Sequence, residues 1–433
     1  MRYQQCLLLL VLFGVGLTAC KKDKQNAPPS ITIVSPGDAS TLSVPDTLLV
    51  TVNVSDDQSV EHVTVSLLDA NYIPVTAAVS VTPMSNPATI TLALPVTSEQ
   101  LESGTYKLLA TATDGELSAK DIHTIQVSGV PLRLRMIYAV STTSSNAFAV
   151  YRIDSLGQIT LASNYDTDLG GADISSKAQR LFLAGSTTGP FLALDANYLS
   201  TSWQRPNMSA IGLPWFTSVD LCSDGQVYVG DGDGMLHGYQ AVNGTGVFTA
   251  VMPDGFRTEE TLVVNDLLLC TVRQFVTGEQ RLALFQQSSG QQQGSQPLSI
   301  VPIRMFERDA QHALVFGNLN GLGRVQDRDI LGGGSWEAYV WQSEITAVTQ
   351  VAATTWLVAL GNGDLQRFTY DNDGSLSIGS TPVLNDMSYD PASGAVFGGA
   401  DGQVIAFDPS SGAIISNFAM NGTVRKVLPL RNR

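Results

Sequence analysis

Residues 395–408, AVFGGADGQVIAFD, hold the pattern that decides the fold: an apolar strand, a tight turn with glycine, and a second strand closing on aspartate. The same phrase returns at 180–195 (RLFLAGSTTGPFLALD), 227–240 (VYVGDGDGMLHGYQ), 314–326 (LVFGNLNGLGRVQ) and 356–369 (WLVALGNGDLQRFT). Its first turn residue is Gly185, Gly230, Gly317, Ala359 or Gly398, each followed by a glycine four positions later. Two looser copies, Gln274 with Gly278 and Ser141 with Ser145, complete a series with intervals of 44, 45, 44, 43, 42 and 39 residues.

A period near 40 with strand–turn–strand content predicts a β-propeller, one four-stranded blade per copy. A lone blade has two apolar faces and covers neither, so blades stack until a ring closes. The turn glycines are expected to supply the positive φ of a tight hairpin. The first copy carries only three strands (MIYAVS, AFAVYRID, QITLASNY), whereas an extra apolar stretch, VRKVLPL at 424–430, follows the last. That terminal stretch is expected to serve as the inner strand of the first blade, which removes the exposed sheet edges. The reading is an all-β chain: a β-sandwich followed by a seven-bladed propeller over 132–433, closed by a C-terminal strand.

Ahead of the ring, residues 30–128 alternate in short strands (ITIVSP, TLLVTVNVSD, VEHVTVSLLD, GTYKLLATATDG) separated by turn signals such as Pro36-Gly37 and Asp114-Gly115. About seven such strands in some hundred residues predict an antiparallel sandwich. The segment resembles bacterial immunoglobulin-like and fibronectin-III-like modules, with Tyr106 where such folds brace a corner. Residues 1–20 start basic, continue apolar and end Leu17-Thr18-Ala19-Cys20, which reads as a secretory signal. The cysteine resembles the lipobox of bacterial lipoproteins; that resemblance implies lipidation at Cys20 and anchoring in the cell envelope, on an outer membrane since Lys21 rather than aspartate follows. Residues 21–29 (KKDKQNAPP) form a short tether.

The chain has 433 residues and a net charge of −15, from 39 acidic and 24 basic residues. That balance argues against a nucleic-acid partner. Cys222 and Cys270 read as buried thiols, with a disulfide between adjacent blades as the alternative in an oxidising compartment. Of the four histidines, none has a second ligand at metal spacing, and His237 reads as packed. Asp231 and Asp233 in GDGDG, and Asp371 and Asp373 in YDNDGS, match hairpin turns better than a calcium loop, which continues to a bidentate glutamate. Asp56, Asp57 and Asp114 form an incomplete calcium edge. Neither a nucleophile elbow nor a phosphate-cradling loop occurs. No metal and no cofactor are expected.

Residues 406–418 (AFDPSSGAIISNF) resemble the repeat of PQQ/YVTN-like propellers, with Phe418 in the place of tryptophan. Residues 192–203 keep the Asp and Trp of that repeat. WD-type Trp-Asp ends and kelch Gly-Gly pairs are absent. The resemblance implies architecture and imports no cofactor. Loop aromatics and turn charges give the candidate binding face: Trp215, Phe216, Trp336, Asp231, Asp233 and Arg273. The expected function is a lipid-anchored envelope scaffold whose propeller face binds an envelope protein or a glycan. The alternative is a lactonase-like or lyase-like hydrolase using the axial channel, which requires converging carboxylate, His or Arg side chains there. A third reading is an outer-membrane assembly factor.

Overall fold

The computed structural model describes residues 26–209, 213–372 and 374–433. Cys20, the signal segment, the tether before Asn26, Gly212 and Asp373 lie outside them. The chain divides into two compact units, Met1–Pro131 and Leu132–Arg433.

The first unit is a sandwich of two sheets. One holds Ser30–Ser35, Asp46–Ser55 and Ala88–Val96; the other holds Ser40–Ser43, Ser118–Ser128, Gly104–Thr113, His62–Leu68 and Val79–Val81. Alternation delivers the core: Val50, Val52 and Val54 point inward along one strand and pack against Val63, Val65 and Leu67 of another. The purely antiparallel expectation fails at one place. Ser40–Ser43 runs parallel to the last strand, Ser40 opposite Ile125, because the chain passes from one sheet to the other without reversing, following that strand from Asp121 to Ser128. Tyr106 donates its hydroxyl to the Glu102 carbonyl at 3.1 Å, the corner brace its position suggested.

In the second unit, five sheets of four antiparallel strands follow one another in sequence order, from Leu169 to Ser380. The sixth sheet of the ring has six strands and joins the two ends of this unit. Ile414–Arg431 is a single long strand that bends at Gly422, φ 83°. Its first half pairs with Gln403–Phe407 as the outer strand of the seventh blade. Its second half pairs with Leu134–Ser144, Val424 opposite Ser141 and Leu430 opposite Met136. Ala147–Asp154 and Ile159–Tyr165 complete that first blade. Seven blades result, closed as the terminal apolar stretch predicted.

The core is divided among the blade interfaces. Seven separate apolar clusters occupy the seven gaps between neighbours. Between the fifth and sixth blades, for example, Phe316, Trp341, Trp356 and Phe368 stack with ring centroids about 6 Å apart. Cys222 and Cys270 are free thiols buried together in the cluster between blades three and four.

The two glycines of the repeated turn have different reasons. The second member is left-handed throughout: Gly189, Gly234, Gly278, Gly321, Gly363 and Gly402 have φ between 71° and 85°. The first member has ordinary φ and is needed for space; a Cβ on Gly185 would lie 1.8 Å from the Thr188 carbonyl, and one on Gly317 2.3 Å from that of Val301. The expectation of positive φ holds for the second glycine alone. The closing aspartates make Asx turns: Asp195 Oδ1 accepts from the amides of Asn197 and Tyr198, and Asp408 Oδ1 from those of Ser410 and Ser411.

If ring closure rests on the terminal strand, Leu430→Ala, at a fully buried position in it, costs about 2–5 kcal/mol. The same change at the exposed Leu156 costs under about 0.5 kcal/mol. Urea unfolding of both variants measures the difference.

Candidate functional site

Antiparallel blades place their loops at two ends of the ring. One end carries the blade-to-blade connections and the turns between second and third strands. The opposite end carries the remaining turns. The inner strands run between them and line the axis.

Six of the seven inner strands send a charged side chain to that axis: Asp173, Asp220, Glu260, Arg304, Asp386 and Lys426. The carboxylates also stitch neighbouring blades together. Asp173 Oδ2 accepts from the Leu221 amide at 2.7 Å, Asp220 Oδ2 from the amide and hydroxyl of Thr261, both at 3.0 Å, and Asp386 Oδ2 from the Val427 amide at 2.8 Å. Glu260 differs: its Oε1 faces Arg304, and its buried Oε2 has no hydrogen-bond partner among the described residues. On the sixth blade the Thr349 hydroxyl takes this role, accepting from Tyr389 at 3.1 Å. The inner strands thereby exchange hydrogen bonds across gaps that sheet pairing cannot bridge.

The ring is electrostatically coupled. Burial pushes the Asp220 carboxyl up to about 6 and that of Glu260 up to about 7, with Arg304 and Lys426 pulling the other way. Burial also raises Asp173. Arg304 Nε lies 3.3 Å from Glu260 Oε1; burial opposes its charge, but Glu260, Asp386, Asp173 and Asp220 together hold it protonated. Two cavities meet this ring. One, about 360 Å³, opens at the opposite end; the other, about 630 Å³, opens at the connection end beside Thr142, Asp168 and Arg425, and both touch Lys426. Sequence reading did not place these six residues in a site. Their signal is a charge midway along an otherwise apolar first strand, as in TSVDLC and VRKVLPL.

The face expected from sequence divides between the two ends. Phe216, Arg273 and Asp233 reach two cavities of about 370 and 430 Å³ at the connection end of blades three and four, which share Arg257 and Phe275. Phe216 is itself buried, and Trp215 is half-buried against the interface core. Asp231 is buried too, its Oδ2 3.3 Å from His237 Nε2; that hydrogen bond raises the imidazole's pKa. Trp336 lies elsewhere, at the opposite end of blade five. There it packs on Arg308, whose guanidinium binds the fully buried Asp327 at 2.7 Å and covers the Tyr370 ring at 4.9 Å. Among the described residues no cluster of three or more metal-type side chains occurs. Asp114 takes the amides of Glu116 and Leu117, and Asp56 that of Gln58.

What the sequence did not single out is the exposed pair Phe275 and Val276, 54% and 85% exposed, on the second-to-third-strand turn of blade four. The Arg257 guanidinium lies 4.0 Å from the Phe275 ring centroid. Arg273 is largely exposed, its Nη1 3.9 Å from Glu259. Val251, at the end of the strand Gly246–Val251, adds exposed apolar surface to the cavity beside Phe275 and Val276.

Comparison with known proteins bears on the two units differently. Residues 29–110 match the family model of the bacterial Ig domain. No curated protein matches the chain. Similar solved structures include the WD40 β-propeller domain of Doa1, 12% identical, with a TM-score of 0.48 over 63% of this chain and 90% of that one. The seven blades rest on this chain's own strand register.

The raised carboxyls make a signed prediction. A folded acid that holds its proton up to pH 6 or 7 contributes stability below its unfolded pKa near 4, and that stability is lost as pH rises through 6–7. The lowered acids, such as Asp390 held down by Arg431 and Ser393 against its burial, act below pH 4. His237, also raised, adds a loss of the same sign. The Tm is therefore expected to fall from pH 5 to pH 8. Asp220→Asn and Glu260→Gln should each flatten that fall, read by calorimetry across the interval.

Proposed function

We propose that this protein is a lipid-anchored scaffold of the cell envelope, in which the propeller binds a protein partner at the connection end of blades three and four. The observation that carries the reading is the grouping of Phe275, Val276 and Val251 with Arg257 and Arg273 around two adjoining cavities. Exposed apolar side chains rimmed by arginine have the composition of binding hot spots. A glycan is the weaker candidate, since sugar platforms use exposed tryptophan and Trp336 stands at the other end of the ring. The match of 29–110 to a bacterial Ig domain accords with an envelope setting, as does the lipobox at Cys20.

Site-specific photocrosslinkers at Phe275 and, as a control, at Ile414 in blade seven test the reading in intact cells. One discrete adduct from position 275 alone is expected, and Arg273→Glu with Val276→Ser should reduce it at least fivefold without changing the Tm. Equal labelling from both positions would overturn it. Cys20→Ala is expected to release the protein from the membrane fraction; unchanged fractionation would remove the anchor from the proposal.

The hydrolase reading gains one observation, the convergence of Asp173, Asp220, Glu260, Asp386 and Arg304 on the axis. Against it, Asp173, Asp220 and Asp386 already accept backbone amides and so are constrained as bases. Hydrolysis of a lactone panel that disappears in Glu260→Gln would favour it.

A further inference from the structure

The axial ring has an imbalance of hydrogen-bonding groups that its structural role leaves unexplained. Asp173, Asp220 and Asp386 accept amides of neighbouring inner strands, so their acceptor capacity is partly spent, and Glu260 is engaged through Oε1 with Arg304. The cations are not matched in the same way. Arg304 uses Nε toward Glu260, while neither Nη atom donates a hydrogen bond among the described residues; its side chain is 40% exposed, into the channel. Lys426, half-buried where the two cavities meet, makes no hydrogen bond or ion pair among the described residues. Lys177 stands exposed at the rim of the same cavity, equally without a partner. Surplus donors in a confined polar site are costly until an acceptor arrives.

The composition of the cavity points the same way. The chain as a whole has 39 acidic and 24 basic residues. The cavity of about 360 Å³ inverts that ratio: Lys177, Arg304, Lys426, Arg431 and Arg433 line it against Asp173 and Asp386. Arg431 is engaged with Asp390 at 2.6 Å. The spare donors therefore belong to Arg304 and Lys426, with Lys177 outside them.

We propose that the axial channel is a binding site for a small oxyanion, a carboxylate or a tetrahedral sulfate- or phosphate-type group, held between the Arg304 guanidinium and the Lys426 ammonium and admitted past Lys177. Arginine supplies a forked pair of donors suited to two oxygens, and lysine a point charge. The acids facing the bound anion are Asp173 and Asp386, and the bases are Arg304, Lys426, Lys177, Arg431 and Arg433; Asp220 and Glu260 lie behind them in the ring, their charge acting on Arg304 and Lys426. Since Asp220 and Glu260 take up protons between pH 8 and pH 6, the anion meets less repulsion at the lower pH. This site is independent of the partner surface on blades three and four, and either can fail alone.

Calorimetric titration of the lipid-free chain, residues 21–433, with sulfate and with acetate tests the proposal, because both probes stay ionised from pH 6 to pH 8. One saturable site is expected, binding at least fivefold more tightly at pH 6. The tighter of the two probes identifies tetrahedral or carboxylate chemistry. Arg304→Met should weaken binding tenfold or more. Lys426→Met, which removes no hydrogen bond and so keeps the test open if Arg304→Met fails to fold, should do the same; Lys177→Met should weaken binding two- to threefold. Absence of saturable binding by both probes at pH 6, or wild-type affinity in folded Lys426→Met, would overturn the site.

Discussion

The pairing of residues 423–431 with Leu134–Ser144 is the constraint on which the propeller depends. Each blade buries its faces only against two neighbours, so an open ring would leave two apolar surfaces and a strand edge in water. Backbone hydrogen bonds between the two ends of the unit turn seven weakly self-sufficient sheets into one closed body. The carboxylate-to-amide bonds of the inner strands work at the same junctions from inside. Blade contact is thus apolar through the body of each interface and polar at the axis.

That arrangement explains why the axis is charged at all. Seven twisted sheets diverge outward and crowd inward, and the crowded inner edges leave amides facing a narrow channel. A carboxylate reaching from one inner strand to the next satisfies such an amide, but at the cost of desolvating the carboxylate. Arg304 and Lys426 offset that cost across the ring. Structural need and ligand chemistry are therefore superposed in the same six side chains.

Fold and site differed in how far the sequence revealed them. The blade period, the three-stranded first copy and the surplus terminal strand were all legible, because they follow from local patterns of apolar residues and glycine. The Gly185 class misled in detail: glycine at a turn signals positive φ as readily as lack of space, and only the path of the neighbouring Thr188 carbonyl separates the two. The parallel pairing of Ser40–Ser43 was hidden because a four-residue strand carries no mark of its partner. Site residues were harder still. Trp336 and Phe216 are aromatic and loop-adjacent alike, yet one packs on Arg308 at one end and the other is buried at the opposite one. The axial charges sat in plain view in TSVDLC and VRKVLPL, but their convergence is a property of the closed ring and of no single repeat.

Ring closure also sets an order of events during synthesis. Ser141 bonds to Asn421, 280 positions further along the chain. At ribosomal rates of about 5–20 residues per second, the first blade waits on the order of tens of seconds for its missing strand. Until then the nascent propeller remains a gapped arc with a vacant berth in its earliest sheet. A lock whose key follows its berth by 280 residues delays compaction of the ring until that stretch has been made.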